Sequence, residues 1–334
     1  MRKLLAAALC LVVTTGCGAS VERADSADTT GSAAVTLTNC GRQVTYDKVP
    51  ERVVTNDVGI TELMLALGLE DRMAGFAMPD DKGDLSDVPW KGGYDKVKWL
   101  SKNQLTKENV LDARADLVFA GWSYGFSDAE GLTPEALHKL GIPSYVLTES
   151  CRNARTKTSR GIMPPLDALY TDLTNLGKLF GVEERAARLV ADFKKRVADV
   201  RAKAPQGGDR PKVFLYDSGR DQPFTSGRFG APEQIIAEAG GANVMHDLAD
   251  SWTTVGWESV VARDPDVILV CDYGDVSAEA KKKFLLSYAP LRDVAAVKNR
   301  RIFTLDYADL VESPRNPSAI DRFGAYLREA AGKR

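Results

Sequence analysis

Two stretches lying 150 residues apart read almost alike: Glu108-Asn-Val-Leu-Asp-Ala-Arg-Ala-Asp116-Leu-Val-Phe-Ala and Glu258-Ser-Val-Val-Ala-Arg-Asp-Pro-Asp266-Val-Ile-Leu-Val. In each, a glutamate opens a short helical run, and an aspartate eight residues later opens an apolar run. A carboxylate at a helix start is favoured by the positive end of the helix and faces solvent, where it can pair with an arginine. Around these units stand the side chains that could hold a ligand. Trp122 and Tyr124 follow the first apolar run, Tyr273 follows the second, and Trp252 and Trp257 precede Glu258. Their rings supply large, rigid contact area for a flat or bulky molecule. Arg228 and Arg315, in turn-rich contexts, would suit an anionic ligand. The two histidines, His138 and His246, match no metal-ligand spacing. No Gly-x-Ser-x-Gly elbow, phosphate-binding loop or histidine-paired nucleophile is present, so the chain reads as a binder without metal ligands of its own, not as an enzyme.

The elements that must position these groups alternate between strand and helix. Leu117 to Ala120 and Val267 to Val270 have the length and branching of buried parallel strands. Strands are also expected near residues 43–56, 73–78, 144–148, 212–217 and 301–305, with helices over 60–69, 134–140, 165–180, 232–239 and 317–331. The segment 183–204 carries Ala187, Val190, Ala191, Phe193, Val197 and Val200 at helical spacing and predicts one long, stiff helix. The fold expected is α/β, with two Rossmann-like lobes, 35–182 and 205–334, joined by that interdomain helix and enclosing a ligand cleft. Open α/β sheets bind ligands at the carboxyl ends of their strands, which is where the aromatic residues lie.

The N-terminus carries an address. Arg2 and Lys3 precede an apolar run from Leu4 to Val13, and Thr15-Gly16-Cys17 follows. This is a secretion signal, expected to be residues 1–16, and a cysteine at the cleavage point marks Cys17 for lipidation. Residues 17–34 are small and polar and read as a flexible tether. Without Arg2 and Lys3 the chain keeps 42 basic against 46 acidic side chains, with no basic stripe for nucleic acid. Outside the cytoplasm, Cys40 and Cys151 in their polar, turn-like contexts are expected to form a disulfide, against the alternative of reduced thiols. Cys271 ends an apolar run and reads as a buried thiol.

From about residue 43 to its end the chain resembles the periplasmic-type substrate-binding proteins of ABC importers for iron-siderophores and vitamin B12. The resemblance rests on Arg52-Val-Val-Thr followed by Thr61-Glu-Leu-Met-Leu-Ala-Leu-Gly-Leu, the two Glu…Asp units, Gly240-Gly241-Ala-Asn243-Val and Ser313-Pro314-Arg315. It implies two lobes on a rigid helical spine and only modest lobe movement, with any change confined to pocket loops such as 123–131. It implies that Glu108 and Glu258 dock into arginine pockets of a permease, which works with an ATPase. It also places a pocket tryptophan at Trp252 and an aromatic near Trp122. The partners expected are therefore that permease and ATPase, a small-molecule chelate and, through Cys17, the cell membrane; the protein is expected to be a monomer without a cofactor. The ligand expected first is a ferric chelate, then a corrinoid or another organic molecule, and a non-transport sensing lipoprotein is the other reading.

Overall fold

The computed structural model describes residues 34–79, 85, 88–153, 159–204 and 210–331. The expected signal segment, the lipidation residue Cys17 and the tether up to residue 33 lie outside them. Among the described residues, no helix is long and apolar enough to cross a membrane.

The N-terminal lobe begins with an antiparallel hairpin, β1 (Val35–Asn39) and β2 (Arg42–Tyr46). Its parallel sheet is built from β3 (Val53–Asn56), β4 (Met73–Ala77), β5 (Trp99–Ser101), β6 (Leu117–Trp122), the short β7 (Gly125–Phe126) and β8 (Ser144–Val146). The order is β5-β4-β3-β6, with both β7 and β8 against β6. In the C-terminal lobe, β9 (Lys212–Tyr216), β11 (Ala242–Asn243), β13 (Val267–Asp272) and β14 (Ile302–Asp306) form a parallel sheet in the order β11-β9-β13-β14. A short antiparallel pair, β10 (Phe224–Ser226) and β12 (Trp252–Thr254), stands beside it.

Alternate residues of the central strands enter different cores. Leu117 and Phe119 join one cluster and Val118 and Ala120 another; Val267 and Leu269 join the first cluster, while Ile268 and Val270 enter a third. A parallel sheet covered on both faces needs such unbroken apolar runs. The first cluster is shared by both lobes and by two helices, Pro165–Phe180 and Glu183–Lys203, which contribute Leu169, Leu173, Leu176, Phe193 and Val197.

The long helix expected over 183–204 is present, and it has a partner. The two helices form a hairpin across Gly181, whose φ of 67° ends the first one in the left-handed conformation that glycine adopts without strain. The first begins at the C-terminal lobe, where Leu166 N donates to Gln234 Oε1, and ends at the N-terminal lobe, where Asn175 Nδ2 donates to Thr38 O at 2.9 Å and Lys178 Nζ to Thr36 O at 2.8 Å. The second returns, from Arg185 bonded to Leu67 O and Gly68 O to Arg201 paired with Glu238 at 2.5 Å. The lobes are thus spanned by two helices side by side, a stiffer link than one.

The repeated sequence units have equivalent structures. Asp116 accepts the amides of Glu51 (3.1 Å) and Arg52 (2.8 Å) at the start of β3, and its own amide donates to Arg52 O. Asp266 accepts the amide of Lys212 at 2.9 Å at the start of β9, and its amide donates to Lys212 O. In each lobe the aspartate latches its strand to the neighbouring one. Six residues after each glutamate stands a left-handed non-glycine residue, Arg114 at φ 49° and Asp264 at φ 43°, which closes the short helix and turns the chain into the strand.

Cys40, in the β1–β2 turn, is joined to Cys151, just past β8, with Cα atoms 5.3 Å apart; Cys271 is reduced and buried. The bridge spans 111 residues. By the chain-entropy argument a loop of that length gives about 4–5 kcal/mol. Replacing both cysteines by serine is expected to lower the unfolding free energy by about that much, read as a shifted urea midpoint.

Candidate functional site

The carboxyl ends of the two sheets meet at a seam. At the end of β3, Asp57 takes φ 80° and caps the helix Val58–Ala66 through Gly59 N. Its Oδ2 accepts a hydrogen bond of 2.8 Å from the hydroxyl of Tyr307, which follows β14. The Tyr307 ring packs on Tyr273, centroids 5.0 Å apart, and Tyr273 donates to Asp217 Oδ1 at 2.7 Å. Lys281, itself buried, donates to the carbonyls of Cys271 and Tyr273 and lies over the Tyr273 ring, fixing that loop from behind. Burial, and after it Asp57, pushes the Tyr307 hydroxyl well above the usual range; burial and Asp217 do the same to Tyr273. Both therefore act as fixed donors. At Gly59 the lobes touch backbone to backbone, since a Cβ there would collide with the carbonyl oxygen of Glu312.

Tyr124 and Trp252 belong to the same seam. Both are buried, and Trp252 stacks on Phe224 with centroids 5.9 Å apart. Arg160 reaches across to donate to Trp252 O at 2.8 Å and lies 3.7 Å from Asp250. A further interlobe contact is the bidentate pair of Arg315 and Glu62, with Nε to Oε2 at 2.8 Å and side-chain exposures of 11% and 0%. Burial raises the Glu62 carboxyl, while Arg315, Trp90 and Tyr94 pull it back. Beside this pair lies a cavity of about 590 Å³ between the lobes and the second spine helix, lined by Trp90, Phe193, Arg196, Asp306, Arg315 and Arg322 among others.

The expected site residues therefore divide. Tyr124, Trp252 and Tyr273 come together at the seam, and Arg315 lies at its edge with its guanidinium already committed to Glu62. Trp122 faces the outer core of its lobe instead, under the guanidinium of Arg152 at 3.4 Å from the ring centroid. Trp257 corrects the expectation made for it: it packs in the core of its lobe against Tyr216, Phe284 and Tyr288, with Nε1 donating to Arg220 O at 2.7 Å. Arg228 is engaged within its own lobe, donating to Asp247 O at 2.8 Å. Asp57, Glu62, Arg160 and Tyr307 were missed in the sequence. Asp57 and Tyr307 directly follow strands β3 and β14, and that position was the available signal.

Glu108 and Glu258 occupy matching positions, each exposed, in the first turns of the helices Lys107–Asp112 and Trp257–Arg263. Its own backbone amide and the Thr106 hydroxyl hold the Glu108 carboxyl below the usual range. Among the described residues, no cluster of three or more His, Cys, Asp or Glu is arranged to hold a metal ion.

Residues 53–308 match the model of one family, described as periplasmic binding protein. The chain belongs to the periplasmic binding protein family. Among its relatives is YvrC of Bacillus subtilis (strain 168), an uncharacterized ABC transporter substrate-binding lipoprotein; the two are 25% identical over 313 residues, 91% of this chain and 88% of YvrC. A vitamin B12-binding protein of Yersinia pestis (strain Pestoides F) is 24% identical over 225 residues, 66% of this chain and 69% of its own. The solved structure of an ABC-type Fe3+-hydroxamate transport system from Saccharomonospora viridis DSM 43017 superposes with a TM-score of 0.74 at 24% identity, covering 89% of this chain and 99% of that one. These relatives are binding proteins rather than enzymes.

In this binding protein the Arg315–Glu62 contact is structural. Removing one partner strands a buried charge, a loss of about 3–5 kcal/mol. Arg315→Ala is therefore expected to lower the thermal midpoint sharply, and pairing Arg315→Met with Glu62→Leu should recover most of the loss in differential scanning calorimetry.

Proposed function

We propose that this chain is the extracytoplasmic, lipid-anchored substrate-binding component of an ABC importer, and that its cargo is a bulky metal chelate, a ferric siderophore ahead of a corrinoid. The observation that carries the importer reading is the pair of exposed glutamates on matching helices of the two lobes, in a chain whose relative YvrC is named as an ABC transporter substrate-binding lipoprotein. A stiff two-helix link holds the carboxylates at a fixed separation, and paired arginines on a permease would read that separation as well as the charge. Lipid attachment at Cys17 is supported by the charged, apolar and small-residue order of the N-terminus.

The cargo reading rests on the seam. Tyr124, Tyr273, Tyr307, Trp252 and Phe224 offer aromatic area, Arg160 offers a cation, and Asp57 and Asp217 offer acceptors. That mixture suits a large organic shell around a metal better than a bare ion, which needs converging histidines and carboxylates. The stacked Trp252–Phe224 pair would also suit a flat macrocycle, which keeps a corrinoid as the second reading.

Two measurements test these statements separately. Glu108→Ala with Glu258→Ala should abolish uptake by cells while leaving the affinity of the purified protein for its chelate unchanged; normal uptake by the double variant would remove the docking role. Titration with ferric hydroxamates, ferric catecholates, haem, cobalamin and free zinc or manganese should show tryptophan quenching by one chelate and none by its metal-free form, lost in Trp252→Ala. A response to zinc or manganese alone would overturn the cargo assignment, and a response to cobalamin alone would decide for the corrinoid.

A further inference from the structure

Three carboxyl groups meet in the interior where the two lobes and the spine join. Glu149 lies in the turn after β8, Glu312 between β14 and the last helix, and Asp172 on the first spine helix; all are essentially inaccessible to solvent. Glu149 and Glu312 form a reciprocal clasp. Glu149 N donates to Glu312 Oε2 at 3.0 Å and Glu312 N donates to Glu149 Oε2 at 2.9 Å, so each lobe's carboxyl holds the other lobe's backbone. The remaining oxygens, Glu149 Oε1 and Glu312 Oε1, are buried and receive no donor.

The adjacent amides of Thr148 and Glu149 donate to Asp172 at 2.8 Å and to Glu312 at 3.0 Å, which sets these two carboxyls side by side and in contact. Two ionised carboxylates at that distance in a dry interior repel strongly, and the contact becomes a hydrogen bond only when a proton lies between them. Donor geometry says which group carries it. Asp172 already accepts from Tyr145 OH at 2.6 Å, from Thr148 N at 2.8 Å and from the Thr148 hydroxyl, an environment suited to the ionised form. Glu312 accepts a single amide, that of Glu149, and its Oε1 receives no donor. A proton on Glu312 supplies the missing hydrogen bond and removes one of the buried charges.

The surroundings offer little other compensation. Facing Glu149 are the guanidinium of Arg160, the indole of Trp252 and the amide of Ala231. Tyr145 and Tyr46 face Asp172, while Tyr124 shares the neighbourhood of Glu149 and Arg160. Among the described residues, Arg160 is the cation that acts most strongly on Glu149, and the leading influences on Asp172 and Glu312 are burial, hydrogen bonds and the neighbouring acids. Among the described residues these acids are not arranged to hold a metal ion, and a proton shared between two of them lowers the buried charge.

We propose that a proton held between Glu312 and Asp172 is a structural part of the clasp between the lobes, and that the lobes loosen at this point as the proton is lost. Burial pushes Glu312 well above the carboxylate range, raises Asp172 and brings Glu149 to about 7. The sign follows from linkage. Carboxyls raised on folding bind protons in the folded protein that the unfolded chain has already released, so their contribution to stability is complete below the ordinary carboxylate range. It declines as pH rises from there through about 7 for Glu149 and further for Glu312.

The test compares the wild type with Glu312→Gln, whose amide can donate to Asp172 and still accept from Glu149 N, and with Glu312→Leu, which can do neither. Thermal midpoints are measured between about pH 5 and about pH 9. The wild-type midpoint should fall with rising pH, Glu312→Gln should give a shallower dependence and melt above the wild type at the alkaline end, and Glu312→Leu should melt lower throughout. Wild-type protein in D2O at neutral pH should show the infrared carbonyl stretch of protonated carboxyls, and Glu312→Gln should lose the part of that band that Glu312 contributes and keep the part from Glu149. Hydrogen exchange at the amides of Glu149 and Glu312, corrected for intrinsic rates, should accelerate with pH in the wild type and much less in Glu312→Gln. A wild-type spectrum without that band would overturn the proposal, as would a pH dependence in Glu312→Gln equal to that of the wild type.

Discussion

A helix shared by two sheets must give most of its circumference to the core, and the first spine helix obeys that constraint, leaving to solvent only the strip that carries Asp167, Thr174 and Lys178. Leu166, Leu169, Leu173, Leu176, Leu179 and Phe180 are all buried within the core common to both lobes. The second spine helix packs beside it, adds Ala186, Phe193, Val197 and Val200 to the same core, exposes a charged face and completes a double strut. The positions of the strand ends, and therefore of every residue at the seam, are measured from this pair. Asp172, the carboxylate buried on the inner helix, is tolerated because Tyr145 and Thr148 supply its hydrogen bonds.

The duplicated unit was legible because it is built from local rules. A glutamate in the first helical turn, a left-handed residue to end the helix and an aspartate to tie two strands together are short-range devices, and both copies use all three. Both spine helices were legible for a similar reason: sixteen and twenty-one residues of amphipathic pattern leave few other readings. The short strands β5, β10, β11 and β12 gave no comparable signal, having only two or three residues each.

The site was less legible because it depends on contacts that cross most of the chain. Asp57 meets Tyr307 and Glu62 meets Arg315 over more than 200 residues, and nothing local marks those pairs. Strand alternation would place Trp122 and Tyr124 on one face. Instead Ser123, at φ 68°, turns the chain between them, and they enter different cores. Trp252 and Trp257, five residues apart, are separated by the end of β12 and the start of a helix, so one ring faces the seam and the other the interior of its lobe. An aromatic residue near a strand end has about equal physical reasons to line a cleft or fill a core, and tertiary packing decides.

The side chains that converge on the seam also occupy it. Tyr307 bonded to Asp57, Tyr273 bonded to Asp217, and the buried Tyr124 and Trp252 stand where a molecule lodged between the strand ends would lie. Any ligand entering there competes with intramolecular contacts already made. Its apparent affinity equals its intrinsic affinity scaled by the fraction of molecules with the seam parted, and each tenfold fall in that fraction removes about 1.4 kcal/mol. Capture would then be timed by opening of the seam rather than by diffusion, and after release the same contacts would re-form and close the way back.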